Sequence, residues 1–283
     1  MAIRKVGVVG CGLMGSGIAQ TCVQSGYETV ISEVNQQLLD KGMARIYSAW
    51  DTLVSKGKLS QGQVDEYRTR LHGTLNLEDF ADCDLVSEAI IENMEEKLLL
   101  FPVLDRIVKP DGLLLTNTSS LSPTQMGAVT KRPDKVCGLH FFNPVPVMKL
   151  AEIVKTISSS DATIETVKEF AISLGKTPVL AKDTAGFIVN LLLIPYLIAA
   201  IRMLENGMAS RDDIDTGMKL GCGYPMGPFT LLDYVGLDTT LWAAEAIYEE
   251  YKDPFYAPPP LLRRMVQSGM YGRKSGKGFY DYQ

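Results

Sequence analysis

The chain has 283 residues, 46% of them hydrophobic, and a formal net charge of −5. That length holds about two domains with proper cores. An isoelectric point near 5.2 argues against a general nucleic-acid binder, which is normally basic, but leaves a nucleotide ligand open because only local charge matters there.

The first residues run directly into a strand, "IRKVGVVGCG", so no targeting segment is expected ahead of the fold. "KVGVVG" reads as a strand and "MGSGIAQTCVQSG" as a helix closed by Gly26. "ETVISE" is a second strand, followed by an amphipathic stretch from Asn35 to about Gly57. "CDLVSEAI", "GLLLTNTS" and "KVCGLHFF" recur at the spacing of strands in βαβ units. Their Val, Ile and Leu residues occupy both faces, as in a parallel sheet covered by helices. From about Asp183 strand signals stop. "DTAGFIVNLLLIPYLIAAIRMLENG", "RDDIDTGMKLG", "MGPFTLLDYVGLDTTLWAAEAIYEEY" and "PPPLLRRMVQSG" read as helices punctuated by Gly and Pro. The expected fold is therefore a Rossmann-type α/β domain over residues 1–184 and an all-α domain over 185–283.

The apolar run from Gly186 is about 16 residues long and contains Asn190 and Pro195, short for a membrane span and better suited to a buried helix or a subunit interface. No membrane association is expected. The five cysteines (Cys11, Cys22, Cys83, Cys137 and Cys222) form no Cys-x-x-Cys pair, which fits a reducing cytoplasm rather than a disulfide framework or a zinc site. No metal is expected.

Gly10, Gly12 and Gly15 form G-x-G-x-x-G after a strand and at the start of a helix. The first permits a tight turn, the second lets backbone approach a pyrophosphate, and the third lets helix and strand pack closely. Leu13 and Met14, between the second and third glycines, are grouped with the cofactor-binding residues. Glu33 closes the second strand, 18 residues beyond Gly15, where a carboxylate would accept hydrogen bonds from a ribose and repel a 2′-phosphate. NAD is expected rather than NADP; the bland alternative is a glycine turn followed by a surface glutamate.

His140, one of two histidines, lies between Leu139 and Phe141 in "GLHFFNPVPVMKLAEIV" and reads at first as a satisfied core residue. Its strand, however, ends at the carboxyl edge of the sheet, where open α/β sheets bind ligands. Asn143-Pro-Val-Pro then breaks the chain, so "MKLAEIV" can return as a separate strand with Glu152 facing the core. A buried glutamate needs a partner, and an imidazole would satisfy it. The pair would make an oriented base, suited in an NAD-binding fold to taking a hydroxyl proton.

With these motifs assembled, the sequence resembles the L-3-hydroxyacyl-CoA dehydrogenase family, and within it the short bacterial 3-hydroxybutyryl-CoA dehydrogenases. The resemblance spans essentially the whole chain through "GCGLMGSGIA", "NTSSLSPTQM", "GLHFFNPVPVMKLAEIV", "DTAGFIVNLLLIPYLIAAI", "GCGYPMGPFTLLDYVGLDT" and "GRKSGKGFYDY". It implies that His140 is the catalytic base and Glu152 its orienting partner, while Ser119 and Asn190 hold the reacting oxygen of the substrate. It implies further that Asn143 lies beside cofactor and substrate, out of solvent, that Glu92 and Lys97 lie near the nicotinamide half, and that Asn117 contacts the cofactor. Lys56 and Lys58 match basic positions that meet the CoA phosphates.

Plainer readings stand beside these. Ser119 could cap a helix starting near Ser122. Glu92 and Lys97 could be a helix-surface pair, and the two lysines a solvated helix end. The tail "GRKSGKGF" lacks P-loop spacing and is a structural closing motif in the family. Two positions depart from the family pattern: Ala185 where Pro is frequent, and Leu191 where Arg is frequent. The implied activity is reversible NAD-linked oxidation of a short-chain 3-hydroxyacyl-CoA in a homodimer joined through the helical domain. The alternatives are a dehydrogenase of a free hydroxy acid, of gulonate or carnitine type, and a non-catalytic NAD-binding protein.

Overall fold

Strands with apolar residues on both faces require cover on both sides, and the chain supplies it by alternating them with helices. The computed structural model describes residues 2–282 and divides into one unit ending at Asp183 and another beginning at Thr184.

The first unit contains, in order, β1 (Lys5–Val9), α1 (Leu13–Gln24), β2 (Glu28–Ser32), α2 (Gln36–Ser55), α3 (Gln61–Arg70), β3 (Leu71–Thr74) and β4 (Leu85–Glu88). It continues with α4 (Met94–Ile107), β5 (Leu113–Thr116), α5 (Pro123–Ala128), β6 (Val136–Phe141), β7 (Leu150–Lys155), α6 (Asp161–Ser173) and β8 (Thr177–Lys182). The sheet order is β3-β2-β1-β4-β5-β6-β7-β8. Strands β1 to β6 run parallel, β7 turns back antiparallel to β6, and β8 is parallel to β7. This is the Rossmann-type architecture expected, with strand order reversing on either side of β1 and opening a crevice at the carboxyl ends of β1 and β4.

Caps fix where several helices start. Asn35 accepts a hydrogen bond from Leu38 N, Ser60 and Gln63 form a capping box, and Asn93 and Ser160 cap α4 and α6. Strands β3 and β8 left weak traces in the sequence. "LHGT" has one fully buried residue and "TPVLAK" contains Pro178, and both are edge strands, where half the backbone groups and one face escape the core.

The second unit holds α7 (Val189–Glu205), α8 (Arg211–Cys222), α9 (Pro228–Val235), α10 (Leu237–Tyr251) and α11 (Pro260–Gln267) around Leu197, Ile201, Phe229, Leu232, Leu237 and Leu262. Helix α7 starts only at Val189 because Gly186 and Phe187 both have positive φ, 83° and 49°. The long run from Met226 splits into α9 and α10 at Gly236, whose φ is 104°. The closing segment is tied down by the buried Asp233, which accepts hydrogen bonds from Phe279 N, Tyr280 N and the Tyr282 hydroxyl. Among the described residues, no helix is long and apolar enough to cross a membrane.

Candidate active site

The loops that leave β1, β4, β5 and β6 emerge together at the carboxyl edge of the first unit. After β1 the chain turns through Gly10, whose φ is +96°, and a side chain there would strike the carbonyl of Ala89 at 2.5 Å. A methyl group at Gly15 would stand 1.8 Å from the Gly10 carbonyl oxygen, so only glycine lets α1 follow β1 this closely. Gly12 is the reverse case: it is exposed, and a methyl group there would meet no atom within 4 Å. No side chain caps α1 at Gly12, which leaves its first amides to an anion. Leu13 is exposed and Met14 half-buried on that first turn.

Glu33 follows β2 directly. Its Oε1 accepts the Cys11 amide at 3.0 Å and its Oε2 the Val34 amide at 2.8 Å, which holds the carboxylate against the glycine loop. Arg45 on α2 reaches the same loop, donating to the hydroxyl of Ser16 at 3.2 Å. An open helix N-terminus beside a fixed carboxylate fits a dinucleotide with a free ribose 2′-hydroxyl.

The register of β6 and β7 pairs His140 directly with Glu152. Their side chains meet through Nδ1 and Oε2 at 2.7 Å, with His140 6% exposed and Glu152 fully buried. The Phe142 ring packs against the imidazole, with ring centroids 4.5 Å apart. Asn117, just past β5, accepts the Phe141 amide at 2.9 Å and so ties the β5 loop to the end of β6. Asn143 is exposed, against the expectation that it would be out of solvent; it lies two residues beyond β6, in a turn whose interior is held elsewhere. That hold is Lys176, almost buried, whose ammonium donates to the carbonyls of Val145 and Met148. The other histidine, His72, is exposed on edge strand β3.

Glu92 and Lys97 do not form a helix-surface pair. Lys97 is 1% exposed and its ammonium lies 2.5 Å from Glu88 and 3.4 Å from Glu92. Glu92 in turn accepts the Thr118 hydroxyl at 2.5 Å and the Ser119 amide at 2.9 Å. Ser119 therefore belongs to the turn after β5 and does not cap α5. That helix is capped by Asp183, which accepts both the Ser122 hydroxyl and the Thr124 amide at 2.7 Å. Glu88, Thr116, Thr118 and Asp183 escaped the sequence reading. Glu88 carried a usable signal, an acid within the apolar run "LVSEAI", comparable to Glu152 within "LAEIV".

Lys56 and Lys58 are exposed at the end of α2. In the second unit, Asn190 is half-buried on the first turn of α7 and Leu191 is half-buried beside it. Ala185 uses its amide to donate to Glu250 at 2.9 Å, a bond that a proline at this position could not make. Among the described residues no group of three or more His, Cys, Asp or Glu is arranged to hold a metal ion.

A doubly wound sheet with this glycine loop and acid, followed by a separate helical unit, defines a dinucleotide-binding protein of the dehydrogenase class. Residues 5–184 match the model of the 3-hydroxyacyl-CoA dehydrogenase NAD binding domain, and residues 186–282 match that of the 3-hydroxyacyl-CoA dehydrogenase C-terminal domain. A probable 3-hydroxybutyryl-CoA dehydrogenase of Deinococcus radiodurans is 47% identical, covering 98% of this chain and all of the relative. A 3-hydroxybutyryl-CoA dehydrogenase of Mycobacterium tuberculosis is 46% identical over 99% of both chains. The crystal structure of (S)-3-hydroxybutyryl-CoA dehydrogenase from Ralstonia eutropha superposes with a TM-score of 0.96 at 42% identity, over 100% of both chains. The chain belongs to the 3-hydroxyacyl-CoA dehydrogenase family, and its first unit is that family's NAD-binding domain.

Proposed function

We propose that this protein catalyses the reversible, NAD-linked oxidation of (S)-3-hydroxybutyryl-CoA, or a close short-chain homologue, to the 3-ketoacyl-CoA. The observation that carries the mechanism is the 2.7 Å contact between His140 Nδ1 and a fully buried Glu152 carboxylate at the carboxyl edge of the sheet. Glu152 accepts the Nδ1 proton of neutral His140, which fixes the tautomer and leaves the Nε2 lone pair to take the substrate hydroxyl proton. The imidazolium so formed is stabilised by the carboxylate beside it, and in the reverse direction it returns the proton to the oxygen. Bound NAD supplies the hydride-accepting chemistry at the same carbon. Ser119 and Asn190 are assigned to hold the reacting oxygen; neutral hydrogen bonds serve both hydroxyl and carbonyl forms without trapping either. Gly10, Gly12, Leu13, Met14, Gly15, Glu33 and Asn117 are assigned to the cofactor, Glu92, Lys97 and Asn143 to its nicotinamide end, and the exposed Lys56 and Lys58 to the CoA phosphates.

The protein is assigned to the cytoplasm and to a homodimer formed through the helical unit. That unit exposes Leu192 (73%), Met208 (71%), Leu220 (81%) and Trp242 (59%), more apolar surface than a monomer comfortably leaves in water. The decisive experiment follows cofactor absorbance with acetoacetyl-CoA, using NADH and NADPH separately, and repeats it with free 3-keto acids. Turnover of the thioester with NADH is expected. Turnover of free acids alone would favour a gulonate- or carnitine-type enzyme, and NADH binding without any turnover would favour a non-catalytic protein. A strong preference for NADPH would overturn the role given to Glu33.

A further inference from the structure

Beneath the turn that carries Ser119 lies a carboxylate to which the proposed function assigns no part. Glu88 ends β4, is fully buried, and is held by three donors: the Ile90 amide at 2.7 Å, the Lys97 ammonium at 2.5 Å and the Thr116 hydroxyl at 2.7 Å. A buried charge is costly unless paired and hydrogen-bonded, so this arrangement persists only as a complete set.

Two routes lead from Glu88 to the turn after β5, the first to Thr118 and the second to both Thr118 and Ser119. On the first, the Thr116 hydroxyl spends its proton on Glu88, and its oxygen accepts the Thr118 amide at 3.2 Å. On the second, Lys97 bridges Glu88 to Glu92, and Glu92 accepts the Thr118 hydroxyl at 2.5 Å and the Ser119 amide at 2.9 Å. The same carboxylate also holds the Ile90 amide, next to Ala89, whose carbonyl packs against Gly10 of the glycine loop. One buried group thus touches or braces the loops after β1, β4 and β5.

We propose that Glu88 is a positioning residue: acting through Thr116 and through Lys97–Glu92, it sets the placement of Ser119 relative to the cofactor loop. The inference rests on the reading of Ser119 as a substrate-holding group in a 3-hydroxyacyl-CoA dehydrogenase. Charge alone does not perform this task; polarity does. A carboxylate only accepts, whereas a glutamine that keeps its oxygen toward Ile90 and Lys97 turns an amide N–H toward Thr116. The Thr116 oxygen would then receive two donors, and its own proton would need another acceptor. The first route would be reversed while the size of the side chain stays the same.

Three proteins test this: Glu88→Gln, Lys97→Met, and the double variant. Each is measured for melting temperature, NADH dissociation constant, and kcat and KM for acetoacetyl-CoA. Lys97→Met strands a buried carboxylate and is expected to lower the melting temperature most; the double variant removes both charges and is expected to recover most of that loss. Its kcat is expected to stay down by about 10- to 100-fold, the scale on which misplacement of a substrate-holding group acts. Glu88→Gln alone is expected to lower kcat more than it raises KM, because Ser119 acts most strongly in the transition state. Recovery of kcat together with stability in the double variant, or a wild-type kcat in Glu88→Gln, would overturn the proposal. Failure of the wild-type protein to turn over acetoacetyl-CoA would instead overturn the reading on which it rests, and the two failures are separately visible.

Discussion

Replacing Glu152 with glutamine perturbs the proposed proton-transfer centre with almost no change of shape. Glu152 Oε2 lies 2.7 Å from His140 Nδ1 and the glutamate is fully buried. Once His140 holds the substrate proton, the two charge centres face each other across about 4 Å, an attraction of about 4 kcal/mol at an effective dielectric of about 20. A glutamine retains at most a neutral hydrogen bond of about 1 kcal/mol. The difference of about 3 kcal/mol corresponds to a rate loss of about a hundredfold. A second effect adds to it. If the new amide N–H faces Nδ1, the imidazole must carry its proton on Nε2 and can no longer accept one, which extends the loss toward about ten-thousandfold. Steady-state rates with NADH and acetoacetyl-CoA give kcat, and fluorescence titration gives the NADH affinity, which is expected to change little. A Glu152→Gln protein that keeps most of its kcat would refute the proton-transfer reasoning.

Other outcomes follow from the same geometry. Gly15→Ala places a methyl group 1.8 Å from the Gly10 carbonyl, so the glycine loop must open; NADH titration is expected to show loss of binding while circular dichroism retains the helical signal. Burial pushes the thiols of Cys11, Cys22, Cys83 and Cys137 up to about 12, whereas Cys222 is exposed. Ellman's reagent at about pH 8 is therefore expected to titrate one thiol in the native protein and five after denaturation; rapid reaction of a second native thiol would contradict the burial. Burial raises the Asp84 carboxyl, but the Lys109 ammonium and the amides of Lys5 and Arg4 outweigh it and hold the group below its usual 3.8. Its stabilising contribution is complete above that ordinary value and disappears as pH falls through the lower folded one, so Asp84→Asn should lower the melting temperature at neutral pH and cost progressively less in acid. An equal cost at every pH would sink that assignment.

Much of the candidate site was legible in the sequence. The glycine loop is read locally, because a turn, a close backbone approach and a helix start each impose their own residue at a fixed offset. His140 and Glu152 were legible for another reason: two polar side chains in apolar strands, separated by a proline break, must satisfy one another. The same logic extends to Glu88, yet its partner Lys97 lies nine positions on, inside α4, where the sequence offers only an ordinary-looking charged turn. Helix periodicity marks which residues share a face, but not whether a lysine on that face is sunk against a neighbouring loop.

The sequence by itself marked most of the strands and helices in order, the cofactor class and the two residues of the proposed proton-transfer pair, because these depend on short-range pattern and on the cost of burying polar groups. Tertiary structure alone decided which carboxylate caps α5, that Lys97 is buried between two acids, and that Lys176 holds the turn bearing Asn143. It also revealed β3 and β8, edge strands whose weak patterns gain meaning only beside a neighbour. Each is a contact between segments remote in the chain, and its free energy exists only once the sheet has set them side by side.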